Sequence, residues 1–296
     1  MGARRRSGLN SEAWGPVTDE LARRLIGDAF PQAAGQTVTR FASGMDNDIF
    51  AVGDRWLARL PRHDFGRGNI EREILLLPSL PDLDLSLPQI VAVGEATSEY
   101  PSRFLLLNRL TGDQPGLQDR FVEDDARALG LALRRLHEAP RPGWLSGDVH
   151  GLFRAGQFLA RLEQVLPIVS EADRLEFEPA LRELIEPSED PLENAEAWVH
   201  GDLHIRNLLC REGRLSGIVD WGDSHCGHPT HDLMAAYALF EPATREVFFE
   251  AYGPVPESWR SAARKQAAIT TFVLLKANSE ENAKEVPRQS LRRILA

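Results

Sequence analysis

Two short stretches constrain this chain more than any other part of it. The first, residues 198–209, runs Trp-Val-His-Gly-Asp-Leu-His-Ile-Arg-Asn-Leu-Leu; the second, residues 217–223, runs Gly-Ile-Val-Asp-Trp-Gly-Asp. Together they read as an apolar run, a polar loop, a short apolar strand, a turn, and a second apolar strand that ends in a carboxylate. The loop carries Asp202 and, five residues on, Asn207; the second strand delivers Asp220. A carboxylate to take a hydroxyl proton, with an amide and a second carboxylate to hold Mg²⁺ on nucleotide phosphates, is the minimum set for phosphoryl transfer to an alcohol. Asp202 is therefore the candidate base, and Asn207 and Asp220 are the candidate metal ligands, since amide and carboxylate oxygens are the hard donors Mg²⁺ prefers.

The rest of the chain divides in two by pattern. Thr18-Asp19-Glu20 opens a helix, with a capping hydroxyl and acids in the first turn; Leu21, Leu25, Ile26 and Phe30 mark its apolar face and Pro31 stops it. Strand-like segments follow at 37–42, 48–52 and 56–60, the last two joined by Gly53-Asp54. A helix is expected over 68–77 and two more strands over 87–93 and 103–107. Adjacent short strands with one inserted helix predict a mainly antiparallel sheet, hence an α+β chain rather than a doubly wound one. The polar segment 108–116, with Gly112 and Pro115, is the expected boundary. Beyond it, Val122, Ala126, Leu129, Leu133 and Leu136 recur at helical spacing, with Glu123, Asp124, Asp125, Arg134 and Arg135 placed opposite. Further helices are expected at 158–169, 179–185, 232–240, 243–252, 259–275 and 290–295, interrupted by the small hairpin of the two opening stretches.

Composition narrows the partners. A net charge of −10, with no basic run longer than Arg4–Arg6 and a further pair at Arg292-Arg293, argues against nucleic acid and is compatible with a cationic small molecule. No apolar run is long enough to span a bilayer. Residues 1–15 lack the apolar stretch of a secretory signal and read as a tail. The two cysteines, Cys210 and Cys226, fit a reducing cytoplasm. Cys226 sits among His225, His228 and His231, but no second cysteine stands at zinc-ligand spacing, so a polar loop is expected there. Residues 147–150, Gly-Asp-Val-His, imitate the central loop but lack the following Asn and strand, and are read as a decoy.

The string His200-Gly-Asp-Leu-His204-Ile-Arg-Asn207, with Ile218-Val-Asp220-Trp, resembles the aminoglycoside phosphotransferase family. That family includes macrolide phosphotransferases and has the protein-kinase-like two-lobe fold. The resemblance implies a small nucleotide-binding sheet lobe over 16–108, a hinge at 109–116 and a helical catalytic and substrate lobe over 117–296. It also implies ATP or GTP as donor, Mg²⁺ as cofactor, and the roles given above to Asp202, Asn207 and Asp220. His200 takes the family's loop-bracing position, with proton transfer as the alternative. Arg206 either neutralises charge on the transferring group or is a solvated side chain. Asp223 either touches metal or a cationic substrate or caps a turn, and Asp232 braces the catalytic loop from the next helix.

In the sheet lobe, the turn from Ser43 through Gly44, Met45 and Asp46 to Asn47 stands where the family covers phosphate, with a plain hairpin turn as the alternative. Arg59 stands where related kinases have a phosphate-holding Lys, and an Arg keeps the charge and adds a planar fork. Its helix partner would be Glu73, with Glu71 as competitor. Asn108 and Leu110 fall where the hinge backbone meets the base. The implied activity is phosphorylation of a small hydroxylated molecule, an aminoglycoside first and a macrolide second. The other expectations are a metabolic kinase for choline, an amino sugar or homoserine, and a nucleotide-binding pseudokinase without turnover. Oligomeric state is left open.

Overall fold

The computed structural model describes residues 14, 16–44, 46–116, 119–145, 158–185, 195–276 and 284–296. Most of the expected N-terminal tail, Met45 of the turn and the decoy at 147–150 lie outside the described residues. The chain divides into two compact units: the residues up to Leu80 with Pro88–Leu110, and Pro81–Leu87 with Thr111–Ala296. No helix among the described residues is long and apolar enough to cross a membrane.

The first unit is an antiparallel sheet with two helices. Helix α1, Asp19–Ala29, begins as expected: Thr18 Oγ1 accepts from Leu21 N at 3.2 Å. Five strands follow: β1 Val38–Ser43, β2 Asn47–Val52, β3 Trp56–Pro61, β4 Ile90–Gly94 and β5 Phe104–Asn108, in the spatial order β1-β2-β3-β5-β4. The pairing register sorts their side chains by the two-residue period of a strand. Val38, Phe50, Val52, Ala58, Leu60 and Leu106 share one face and close a core with Ala22, Leu25, Ile26 and Phe30. Phe104 meets Phe30 edge-on at 5.4 Å. The opposite face carries Ile49, Ala51, Leu57, Arg59, Leu105 and Leu107, cross-strand neighbours in the same register. The register of β1 slips by one between Arg40 and Ala42, a bulge centred on Phe41.

Helix α2, Asp64–Leu76, starts four residues before the expected position. His63 caps it, its Nδ1 accepting from Gly66 N at 3.2 Å, a job the sequence pattern does not give to a histidine. Strand β4 starts three residues late because Ser86 pairs elsewhere: its amide donates to Ser216 O at 2.9 Å and its carbonyl accepts from Ile218 N at 3.0 Å.

The second unit is mostly helical. Helix α3, Glu123–Glu138, buries Ala126, Leu129, Leu133 and Leu136. Asp125 does not lie on the solvent side as expected; it is buried, accepting from Val122 N, Leu215 N and Arg214 Nε at 2.8, 3.1 and 3.0 Å. Helices α4, Phe158–Val165, and α5, Glu171–Ile185, follow. The expected start of α5 at Pro179 is wrong by two turns: the helix carries Pro179 in its interior, forgoing one amide donor there.

Strand β6, Ala197–Val199, leads into a 3-10 turn, Ile205–Asn207, and the hairpin of β7, Leu208–Arg211, with β8, Arg214–Ile218. Strand β9, His225–Gly227, lies in the segment expected to be loop and pairs with β6. Helix α6, Thr230–Leu239, is buried on every side. Helices α7, Pro242–Tyr252, α8, Glu257–Lys276, and α9, Glu285–Leu295, complete the unit. Helix α9 begins five residues early because Pro287 falls in its first turn, where an amide donor is not needed.

Candidate active site

The central loop is held by backbone contacts first. Strand β6 delivers His200 beside β9, where Val199 pairs with His225, and the two strands are pinned by Ser224: its hydroxyl accepts from Trp198 Nε1 at 2.8 Å and donates to Val199 O at 2.7 Å. The chain then turns at Gly201, in the left-handed region at φ 87°. A Cβ there would overlap the Asp223 carbonyl oxygen and come within 2.8 Å of His225 Nδ1, so only glycine fits.

His200 is fully buried. Its Nε2–H donates to Val219 O at 3.0 Å and its Nδ1 accepts from Asp202 N at 3.3 Å, which makes it neutral and ties the loop to the end of β8. Its ring lies 4.6 Å from that of Trp221. The buried Asp232 of α6 accepts from His200 N at 2.7 Å and Gly201 N at 3.0 Å, and from His137 Nε2 at 3.0 Å. Burial alone would raise the Asp232 pKa; the hydrogen bond and charge of His137 and the Gly201 amide outweigh it and hold the carboxyl below its ordinary value.

On this support the polar side chains converge. Asn207 Nδ2 donates to the Asp202 carbonyl at 2.8 Å and to Asp202 Oδ2 at 3.3 Å, so the amide oxygen is the end that faces away from these bonds. Val219 N donates to Asn207 O at 2.9 Å, which sets the end of β8 against the 3-10 turn and brings Asp220 to the loop. Asp220 has φ 63°, a left-handed conformation in a residue with a Cβ. The Asp202 pKa is pushed up to about 8, by burial first and then by the negative charges of Asp223 and Asp220; the Asn207 bond works against the shift. The Asp202 side chain is nonetheless 38% exposed, so it stays open to an incoming ligand.

His204 Nε2 stands 3.5 Å from Asp202 Oδ2, while its Nδ1 accepts from Arg206 N at 3.2 Å. Burial, then the neighbouring His200 and Arg206, push the His204 pKa down to about 4, so the ring is neutral near pH 7. Arg206 is not a freely solvated side chain: it is half-buried and donates from Nη2 to Leu274 O at 3.3 Å. Burial lowers its pKa.

This donor set suits Mg²⁺. An amide oxygen and carboxylates whose charges act together on Asp202 are hard ligands whose repulsion a divalent cation relieves, and Mg²⁺ is commonly held by one or two carboxylates plus substrate phosphates. Among the described residues no three His, Cys, Asp or Glu are arranged to hold a metal, the His225, Cys226, His228 and His231 group included. His225 Nδ1 donates to Asp223 O at 2.8 Å, His228 bonds the Thr230 hydroxyl at 2.9 Å, and Cys226 Sγ accepts from Arg141.

In the first unit, Arg59 Nη1 pairs with Glu73 Oε1 at 2.7 Å, while Glu71 is taken by Arg103. The Ser43 hydroxyl donates to Asp48 Oδ1 at 2.5 Å, and Gly44 O accepts from Arg62 Nη1 at 2.9 Å. Asn47 is buried, and its Oδ1 has no hydrogen-bond partner. Asn108 Oδ1 accepts from Gln89 N at 2.5 Å, and Leu110 is half-buried.

Residues 37–263 match the APH phosphotransferase enzyme family. The chain belongs to that family. The chain is 24% identical over 243 residues to acyl-CoA dehydrogenase family member 11 of Gallus gallus, a match covering 76% of this chain and 31% of that protein, so the chain spans about a third of that relative's length. Among solved structures it is similar to the GDP and kanamycin complex of APH(2")-IIia, with TM-score 0.66, 18% identity, and 92% and 97% of the two chains covered. It is also similar to apo macrolide 2'-phosphotransferase MphH from Brachybacterium faecium, with TM-score 0.57, 21% identity, and 92% and 97% covered. These likenesses establish the kinase-like phosphotransferase fold expected from the central motif.

Three supporting residues lie outside the central motif. Asp48 is fully buried and ties together Val17 N, Arg40 Nη1 and Ser43 Oγ; its two-residue phase with Phe50 and Val52 is the signal that places it inward. His137 continues the apolar stripe of α3 one turn past Leu133. Tyr252, whose hydroxyl meets His137 Nδ1 at 2.8 Å, has no local signal, because it comes from α7, 115 residues away.

Proposed function

We propose that this phosphotransferase moves the terminal phosphoryl group of ATP or GTP, with Mg²⁺, onto a hydroxyl of a small cationic acceptor of the aminoglycoside type. The observation that carries the reading is the grip of Asn207 on Asp202, backbone and side chain together, with Asp220 and Asp223 close enough to act on the Asp202 charge. Asn207 through its amide oxygen and Asp220 through its carboxylate would hold Mg²⁺, which supplies neutralisation of charge on the donor phosphates.

Asp202 accepts the proton of the acceptor hydroxyl and orients that oxygen for in-line attack. Its position is fixed from behind by the Asp232 bonds to the His200 and Gly201 amides. His200, neutral and committed at both ring nitrogens, braces rather than transfers. Arg59, held by Glu73, offers a cation to donor phosphate. Positioning and charge complementarity supply the acceleration, and no covalent enzyme intermediate is needed. The acidic cluster around Asp202 favours a polycationic acceptor over one with a single amine, such as a macrolide, and the buried free thiols suit a cytoplasmic setting.

The test is incubation of the purified chain with ATP or GTP, Mg²⁺ and a panel of aminoglycosides, macrolides and choline, with products read by mass spectrometry. Phosphorylated aminoglycoside is expected, and Asp202→Asn is expected to lower kcat by about 10²- to 10⁴-fold. A loss below tenfold would remove Asp202 from the base role, and phosphorylation confined to a macrolide or choline would replace the acceptor class. Nucleotide binding without any phosphorylated acceptor would favour a pseudokinase.

A further inference from the structure

The sheet face that holds Arg59 carries, at its β1 edge, a pair of side chains that the phosphoryl-transfer reading leaves unused. Phe41 sits at the bulge of β1 with 52% of its surface exposed, an unusual position for a large aromatic in a sheet. The guanidinium of Arg109 lies over its ring, 5.0 Å from the centroid. In a bulge two successive residues oppose one on the partner strand, so Phe41 joins Ala42 opposite Ile49, on the face of Arg59 rather than on the core face. Arg109 follows Asn108 by one residue, and the alternation of β5 turns it to this same face.

Its backbone is fixed, with the Arg109 amide donating to Arg55 O at 2.8 Å. Among the described residues no carboxylate pairs with its guanidinium. Arg59 stands three residues along β3 from Trp56, the partner of Asn108, about 10 Å at the rise of a strand. Between these two cations the face is apolar: Ala51 and Leu107, both buried, and the half-buried Leu57 lie on it. A cation suited to phosphate at one end, an apolar stretch, and an aromatic ring beneath a second cation at the other end match the order of parts in a nucleotide.

We propose that Phe41 and Arg109 read the nucleobase of the donor, and that the base they select is guanine. The proposal rests on the nucleotide-dependent reading given above. Stacking on an aromatic ring accepts any base, so Phe41 supplies affinity and not choice. Arg109 presents donors only. Guanine offers two acceptors side by side, O6 and N7, which the guanidinium fork can engage together; adenine sets an N6 donor beside N7 and leaves one arm opposed. The side chain that could pair with adenine in the bidentate manner, the amide of Asn108, belongs to the other face and is held by Gln89 N.

The test is equilibrium binding of GDP and of ADP, each with Mg²⁺, to the full chain by calorimetry. GDP is expected to bind about tenfold or more tightly than ADP, the range of one bidentate base contact. Arg109→Met should bring the ratio close to one, and Arg109→Gln should move it toward ADP, because a Gln amide matches adenine. Phe41→Ala should weaken both nucleotides by roughly tenfold and keep their ratio. Both residues are exposed, so these variants fold. Equal or tighter ADP binding by the native chain, or a GDP preference that survives Arg109→Met, overturns the proposal while leaving nucleotide-dependent transfer standing. Failure of both nucleotides to bind overturns the two readings together.

Discussion

Asp232 and His137 meet at 3.0 Å, carboxylate oxygen to ring nitrogen, with their side chains 0% and 4% exposed. The same carboxylate holds the amides of His200 and Gly201, so a contact between α3 and α6 supports the loop that carries Asp202. Replacing Asp232 by Ala strips partners from three buried donors and is expected to cost about 3–5 kcal/mol in urea unfolding. The acid side follows from the direction of its pKa. The folded value is depressed, so the stabilisation is present above the ordinary carboxylate range and is lost as pH falls through the folded value. Unfolding midpoints measured from pH 7 down should fall more steeply below about pH 4 for the native chain than for Asp232→Asn.

Gly201 and Gly213 both have positive φ, at 87° and 74°, but only Gly201 is crowded. Gly213→Ala bears the left-handed penalty alone, about 1–2 kcal/mol. Gly201→Ala adds overlap with the Asp223 carbonyl and the His225 ring, for a total of about 3–5 kcal/mol. Chemical denaturation of the two variants side by side checks the difference; equal costs would mean that the turn between β6 and β9 relaxes around a methyl group.

The Arg59–Glu73 pair links a largely buried cation to a buried anion, at 14% and 1% exposure. Arg59→Ala should therefore lower the melting temperature as well as weaken nucleotide binding by about tenfold or more, whereas Arg59→Lys should keep most of the stability and lose part of the affinity. Melting curves and nucleotide titrations on both variants separate the two effects.

Both thiols are free and buried. Burial pushes the Cys210 pKa up to about 12, which cuts its thiolate fraction near pH 8 by roughly a thousandfold. Burial also raises Cys226, against the pull of Arg141. Alkylation of the native chain should be slow at both, with Cys210 the slower, and should become fast and equal in denaturant. Peptide mapping of alkylated samples over time measures this.

What was legible in the sequence is what is local. Helix α1 could be read because its cap, first-turn acids and apolar stripe are neighbours in the chain. The Asp202, Asn207 and Asp220 set could be read because one loop and one hairpin carry all three. Strand β9 could not, since its partner β6 lies about 28 residues earlier and its own residues look like a polar loop. The bulge at Phe41 is a matter of register between strands, which no single strand reveals. The early starts of α2 and α9, and the interior Pro179 of α5, were hidden by residues that usually mark helix ends: His63, Pro287 and Pro179.

On the role proposed above for Asp220, its left-handed backbone sets stability and chemistry against each other at a single position. Glycine would relax that conformation by about 1 kcal/mol. A population of variants screened only for heat resistance would be expected to drift toward glycine there, and one screened for turnover would not. Sequencing residue 220 after such a screen would show which demand keeps the carboxylate in place.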